Sequence, residues 1–460
     1  MNFRILRIEL RRSVAPWAGV FVLASALAFL YLVPGPWWQG TARWTSQWTS
    51  MALWTRSPLI FLWPLAVGLG ALQGLRDHRS KMPELLISTP RPARHRAAAL
   101  AGTTAFALVS SFALLVLLGA AQVLAGDATY THLGWLPVSL VGALALTAGA
   151  VLGMGVARSV PSLLTPPALA VGAFLVVNLL RQTSDAALPD SAAPHRLSLL
   201  SPAVADVRET LLTLSVPVHL GQTVWLLGMA ATGFALLAAA TPRARLLALT
   251  PLLAGGAVAL LLFPADPRAT YVVDRDAARP VCDGPVCVTT ARRARLDDLA
   301  APGGEALRLL HEALGDRAPV GIRETTLPRA LGDTPERSHE YVLVDFDDAA
   351  IGDAEGGRLT RALVAQGIAP LCRPRSHTES GTLQEAAAQS IAAAWVLGEL
   401  RPLEGTMHDV GDQAAVAEPV WKKFMARPRE EQRQGIGALH AAAVSCSGDP
   451  LGALTGESSR

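Results

Sequence analysis

The chain has 460 residues, 51% of them hydrophobic and only 17% charged, with a positive mean hydropathy. That balance excludes an ordinary soluble globular protein and a disordered one, and it points to several membrane spans. The net charge of +3 conceals a division: residues 1–263 carry 18 Lys/Arg against 8 Asp/Glu, and residues 264–460 carry 22 against 29.

Residues 1–16 form the first expected element. Phe3, Leu6, Leu10 and Val14 recur at helical spacing among Arg4, Arg7 and Arg11, the pattern of a basic amphipathic helix lying in the cytoplasmic headgroup region. Residues 17–263 are read as a transmembrane domain. Its first span is Trp17–Val33, near the minimum length for crossing the hydrocarbon core. Pro34–Ser57 follows with Trp37, Trp38, Trp44, Trp48 and Trp54. Indoles favour the membrane interface, so this loop is expected to lie along the outer surface.

Span two is Pro58–Leu75, and a basic loop over 76–96 leads to span three, Ala97–Ala125. Spans four, five, six and seven are expected at Leu136–Ala157, Leu163–Leu180, Thr223–Ala240 and Leu246–Phe263, with a helix at Ala203–Leu214 in the loop before span six. On this layout the inside segments carry 13 Lys/Arg and the outside loops before residue 264 carry 5, among them Arg56. That bias puts the amino terminus in the cytoplasm and the carboxyl terminus outside.

Residues 264–460 are long enough for a core of their own and read as an α+β extracytoplasmic domain. Strands are expected at Thr270–Val273, Val288–Thr290 and Tyr341–Val344. Helices are expected at Glu305–Leu314, Arg358–Gln366, Leu383–Leu400, Pro419–Met425 and Glu430–Val444. All four cysteines, Cys282, Cys287, Cys372 and Cys446, fall in this segment, which predicts disulfides and an oxidising exterior. Four cysteines allow three connectivities. The expected one joins Cys282 to Cys287 across the Asp283-Gly284-Pro285 turn and leaves Cys372 for Cys446.

Chemical motifs are few. The only lysines are Lys81, Lys422 and Lys423, and none follows a glycine, so the chain has no P-loop. No zinc-protease or serine-hydrolase spacing occurs, and no catalytic residue, metal site or cofactor is assigned. The acidic run Asp345, Asp347, Asp348 and Asp353 lacks EF-hand spacing and reads as a solvated strand end. The apolar cores of the seven proposed spans contain no Asp, Glu, Lys or Arg, which disfavours ion-coupled transport.

The loop 76–96 carries the most specific pattern. Pro83 suits a first helical turn and Glu84 sits at the positive end of the dipole. Leu85 and Leu86 follow, then Ser88, Thr89 and Pro90, with Arg94 in a basic cluster. This pattern after the second span resembles the cytoplasmic coupling helix of ABC-transporter permease subunits of the ABC-2 exporter type. The cysteine spacing and Trp-containing helices are similar to actinobacterial proteins of that kind, here with an added extracytoplasmic domain.

The resemblance covers about residues 1–240 and implies a fold of six to seven α-helical spans. It implies that Pro83, Glu84, Leu85, Leu86, Ser88 and Thr89 couple the chain to a separate ABC ATPase subunit. It also implies a homodimer, or a heterodimer with a second permease, in the plasma membrane, and no nucleic-acid partner. The alternative from another class is a non-transporting sensor or scaffold whose outer domain binds a partner.

Overall fold

The structure, a computed structural model, describes residues 13–38, 43–79, 93–126, 128, 130–182, 195–203, 211–327, 334–373 and 381–456. It is mostly helical, with two small sheets among the described residues. The amino-terminal part is a bundle of α1 (Ala15–Leu32), α2 (Trp48–Arg56), α3 (Leu59–Gly74), α4 (Ala93–Ala125), α5 (Trp135–Ser159), α6 (Thr165–Gln182), α7 (Val216–Ala238) and α8 (Thr250–Leu262). Among the described residues five helices are long and apolar enough to cross a membrane, counting Pro242–Leu262 as one; there are six if α2 and α3, bent by 49°, form one span.

The bend has a local cause. Pro58 has no N–H to give the Trp54 carbonyl, and Ser57 N–H bonds that carbonyl instead, at 3.2 Å. The expected fifth span is displaced, its helix starting two residues later than expected. Pro166 and Pro167 belong to the first turn of α6, so the apolar helix covers only Thr165–Arg181.

Glycines set how closely the central helices approach. A Cβ on Gly70 would stand 2.1 Å from the Ala150 carbonyl oxygen, and one on Gly153 would stand 2.1 Å from that of Val67. The backbones of α3 and α5 therefore touch, the packing by which apolar helices associate without a hydrophobic driving force between them.

The tryptophan-rich stretch departs from expectation. Trp44 is 0% exposed, and Trp37, Trp48 and Trp54 are also buried, with only Trp38 open to the outside. Trp48 stacks on Trp135, and Trp37 meets Trp54 edge-on. Every residue of α2 is buried. The stretch turns into the bundle, where its indoles fill the space that small residues on neighbouring helices leave.

The carboxyl-terminal part is built on strands β3 (Pro280–Asp283), β4 (Val286–Thr289), β5 (Gly321–Glu324) and β6 (Tyr341–Val344). β3 and β4 form an antiparallel hairpin turned at Gly284, whose φ of 56° suits glycine. β4, β5 and β6 run parallel. Helices α9 (Leu296–Leu314), α10 (Gly356–Ile368), α11 (Leu383–Leu397), α12 (Val410–Met425) and α13 (Arg429–Ser445) close the core. α11 is its centre, with Ala386–Trp395 buried throughout. Thr382 and Glu385 form a capping box at its start, and Gly398, at φ 84°, ends it.

Several expected elements are corrected. The end of the proposed helix Ala203–Leu214 is strand β1 (Leu212–Leu214), paired antiparallel with β2 (Tyr271–Val273); residues 204–210 lie outside the described residues. α9 and α12 begin nine residues earlier than read, because each carries a proline inside the helix, Pro302 and Pro419. Strand β5 was not foreseen, since Gly-Ile-Arg-Glu offers one apolar residue.

β1 leads into α7 and β2 follows α8, so the two-stranded sheet ties the bundle to the carboxyl-terminal part. Gln47, just before α2, reaches the same junction by donating from Nε2 to the Ala291 carbonyl at 2.8 Å.

Candidate functional site

The proposed coupling residues Pro83, Glu84, Leu85, Leu86, Ser88 and Thr89 lie outside the described residues. What is described is their frame. The segment leaves α3 through the helical turn Arg76–Arg79 and re-enters at Ala93. The chain alternates between bundle ends, so the end of α3 and the start of α4 share the end away from the β1–β2 junction with the α5–α6 and α7–α8 turns. Those two turns meet through Arg245 Nη1, which donates to the Ser159 carbonyl at 3.2 Å.

The bundle contains a charge that the sequence reading assigned to an outside loop. Arg56, the last residue of α2, is 0% exposed. It lies about 13 Å along the helix from the α2 end at the junction. Its Nε and Nη2 both donate to the Pro202 carbonyl, at 3.3 and 2.8 Å, and Nη2 also donates to Gln222 Oε1 at 2.9 Å. Gln222 in turn donates from Nε2 to the carbonyls of Leu199 and Ser201. Arg56 is thus held by neutral acceptors, and Nη1 has no hydrogen-bond partner among the described residues.

Further buried polar atoms without a hydrogen-bond partner among the described residues lie on the segments that hold this arginine: Oγ of Ser139, Ser201 and Ser215, and Nδ1 of His219. Ser215, His219 and Gln222 lie on one face of α7. Ser201 precedes the residue whose carbonyl Arg56 holds. Ser139 is one turn before Gly142, where a Cβ would sit 3.3 Å from Arg56 Cγ. The signals available in the sequence were an arginine directly before Ser57-Pro58 and a glutamine inside an apolar run.

Nearer the carboxyl-terminal part, Asp274 accepts from the Tyr130 hydroxyl at 3.3 Å. Burial, then Asp274, pushes the Tyr130 phenol up to about 12. His132 Nδ1 accepts from Gly134 N–H at 2.9 Å while Nε2 faces Thr49 Oγ1 at 3.0 Å. Burial moves His132 down from its ordinary value, against the pull of Asp274.

In the carboxyl-terminal part, Arg292 lies at the carboxyl ends of the parallel strands. Its Nε meets Glu324 Oε1 at 2.9 Å and its Nη2 meets Asp347 Oδ1 at 2.6 Å. Thr289 N–H donates to Glu324 Oε2 at 2.7 Å. Burial pushes the Glu324 carboxyl up, against Arg292 and the Thr289 hydrogen bonds. The acidic run is therefore not a solvated strand end: Asp347 is paired inward and Asp348 caps a helical turn. The adjoining cleft, lined by Thr325, Glu336, Asp345 and Gln366, has about 40 Å³, room for little more than water. No group of three or more His, Cys, Asp or Glu among the described residues is placed to hold a metal.

Cys282 and Cys287 are bonded across the β3–β4 hairpin, and Cys372 is bonded to Cys446 at the end of α13. No protein-family model, curated protein or solved structure matches the chain.

Proposed function

We propose that the chain is the membrane-spanning permease subunit of an ATP-driven exporter of the ABC type, working with a separate ATPase subunit and a second permease. The bundle spans the plasma membrane, residues 264–460 are extracytoplasmic, and Glu84–Thr89 couples ATPase closure to α3 and α4. The observation that carries this reading is the two-ended distribution of charge and sulfur. The basic flanks 76–79 and 93–96 and the Arg158 and Arg243–Arg245 turns belong to one end of the bundle. Both disulfides belong to the part joined to the other end, which suits a cytoplasm on one side and an oxidising space on the other.

α3 leads into the coupling segment and is packed backbone to backbone on α5. A push at residues 83–89 would therefore move the bundle centre rather than one peripheral helix.

The second reading, a sensor that transmits occupancy of its outer part, draws on the junction at β1–β2 and Tyr130–Asp274. Purification of the tagged chain in mild detergent separates the two. A P-loop ATPase should co-purify in about equal amount. A kinase or transcription regulator in its place would select the sensor.

A further inference from the structure

We propose that Arg56 is the receptor for an oxyanion, the phosphate or carboxylate of an acidic amphiphile, and that the Pro202 carbonyl is the neutral group it displaces. The inference does not depend on ATP-driven transport.

Removing a guanidinium from water is costly, and neutral acceptors return only part of that cost. Here the acceptors are two, Pro202 O and Gln222 Oε1, with the carbonyl end of the α2 dipole beside them. No carboxylate among the described residues pairs with Arg56, and Nη1 has no partner there. Nη1 and the hydroxyls of Ser139, Ser201 and Ser215, on the segments that hold the arginine, are buried without a hydrogen-bond partner among the described residues, and each can donate. An oxyanion offers about four lone-pair sites to such a set.

The arginine is also arranged for that exchange. Nε and Nη2 already converge on one oxygen, which is the two-donor edge that grips carboxylate or phosphate in bidentate fashion. The charged partner makes the stronger bond, so its arrival releases the Pro202 carbonyl and loosens residues 199–203. The surroundings are apolar: Phe112 faces Gly142 beside the arginine stem, and Leu53 and Val138, one turn from Arg56 and Gly142 on the same helices, share an apolar cluster with Leu199 and Phe263. A hydrocarbon tail suits these walls better than a free hydrated ion does.

The test uses the full chain in dodecyl maltoside, with dioleoyl phosphatidylglycerol, dioleoyl phosphatidylcholine or inorganic phosphate added. Phosphatidylglycerol should raise the thermal midpoint by several degrees and speed amide exchange at residues 199–203, while phosphatidylcholine does neither. Arg56→Gln should lose both responses, and Arg56→Lys should keep part of them. An equal response to inorganic phosphate would support the oxyanion site and assign it to a soluble anion.

If Arg56→Gln does not fold, exchange at 199–203 in the unaltered chain decides alone. The proposal is overturned if the two lipids act alike, if no probe moves that exchange, or if Arg56→Gln responds as the parent does. A response in the Asp206→Asn, Glu209→Gln double variant but not in the parent would make the counter-charge internal and overturn it as well.

Discussion

Two buried arginines are held in opposite ways. Arg56 has neutral acceptors only, whereas Arg292 has two carboxylates, Glu324 and Asp347, and lies over the Phe346 ring. Replacing Arg292 by methionine leaves both acids facing each other in a closed site. The loss should be about 3–5 kcal/mol, read as a lower thermal midpoint and faster exchange of the β5 amides; an unchanged midpoint would mean the pair adds nothing. His440 gives a pH dependence. Burial holds it below its ordinary 6.5, with His339 and Arg317 adding to that, against a hydrogen bond to the Ile368 carbonyl. The unfolded chain therefore takes the proton first. This contribution is complete above 6.5 and is lost as pH falls through the depressed folded value. The midpoint of the carboxyl-terminal part should drop as pH falls below 6.5, and less so in His440→Gln. A flat profile would contradict the assignment.

At the level of elements, the approach of α3 to α5 rests on glycine. Gly70→Ala puts a methyl group into the Ala150 carbonyl, and since backbone must move the cost should be about 1–3 kcal/mol. Gly172→Ala is the control, because a Cβ there meets nothing within 4 Å. Equal thermal midpoints for the two variants would mean that the helices are not packed this closely. The periodic and apolar runs were legible in the sequence, since length and composition suffice to mark them. The start of the helix expected at Leu383–Leu400 was readable to the residue, while its end was set three residues too late, past the Gly398 that stops it. Helices crossing a proline were not, because α9 and α12 keep Pro302 and Pro419 through packing that the sequence does not display. β1 was hidden for a related reason: Leu-Thr-Leu becomes a strand only because Tyr271–Val273, nearly sixty residues on, lies beside it. The arginine site was illegible because its neighbours come from α2, α5, α7 and the segment before β1. Only the fold brings Arg56, Gln222 and Pro202 together.

At the scale of the whole molecule, a bundle containing helices long and apolar enough to cross a membrane is joined to a disulfide-bonded carboxyl-terminal part. Reporter fusions after Arg245 and after Pro264 should read cytoplasmic and external; a cytoplasmic signal after Pro264 would remove the last span and the oxidising exterior together. The coupling of residues 83–89 to an ATPase is the central claim. Replacing Leu85 and Leu86 by Asp places two unpaired charges in a contact that should be dry. That is enough to abolish a micromolar association, worth about 8 kcal/mol in all. Both positions are remote in sequence from the four cysteines, so both disulfides should still form. The deciding measurement is ATP turnover when this double variant is reconstituted with the ATPase that co-purifies with the unaltered chain. The account predicts that turnover falls to that of the ATPase alone and that the subunits no longer co-purify. Normal turnover with the ATPase still bound would contradict it and leave residues 83–89 a basic loop with no coupling role.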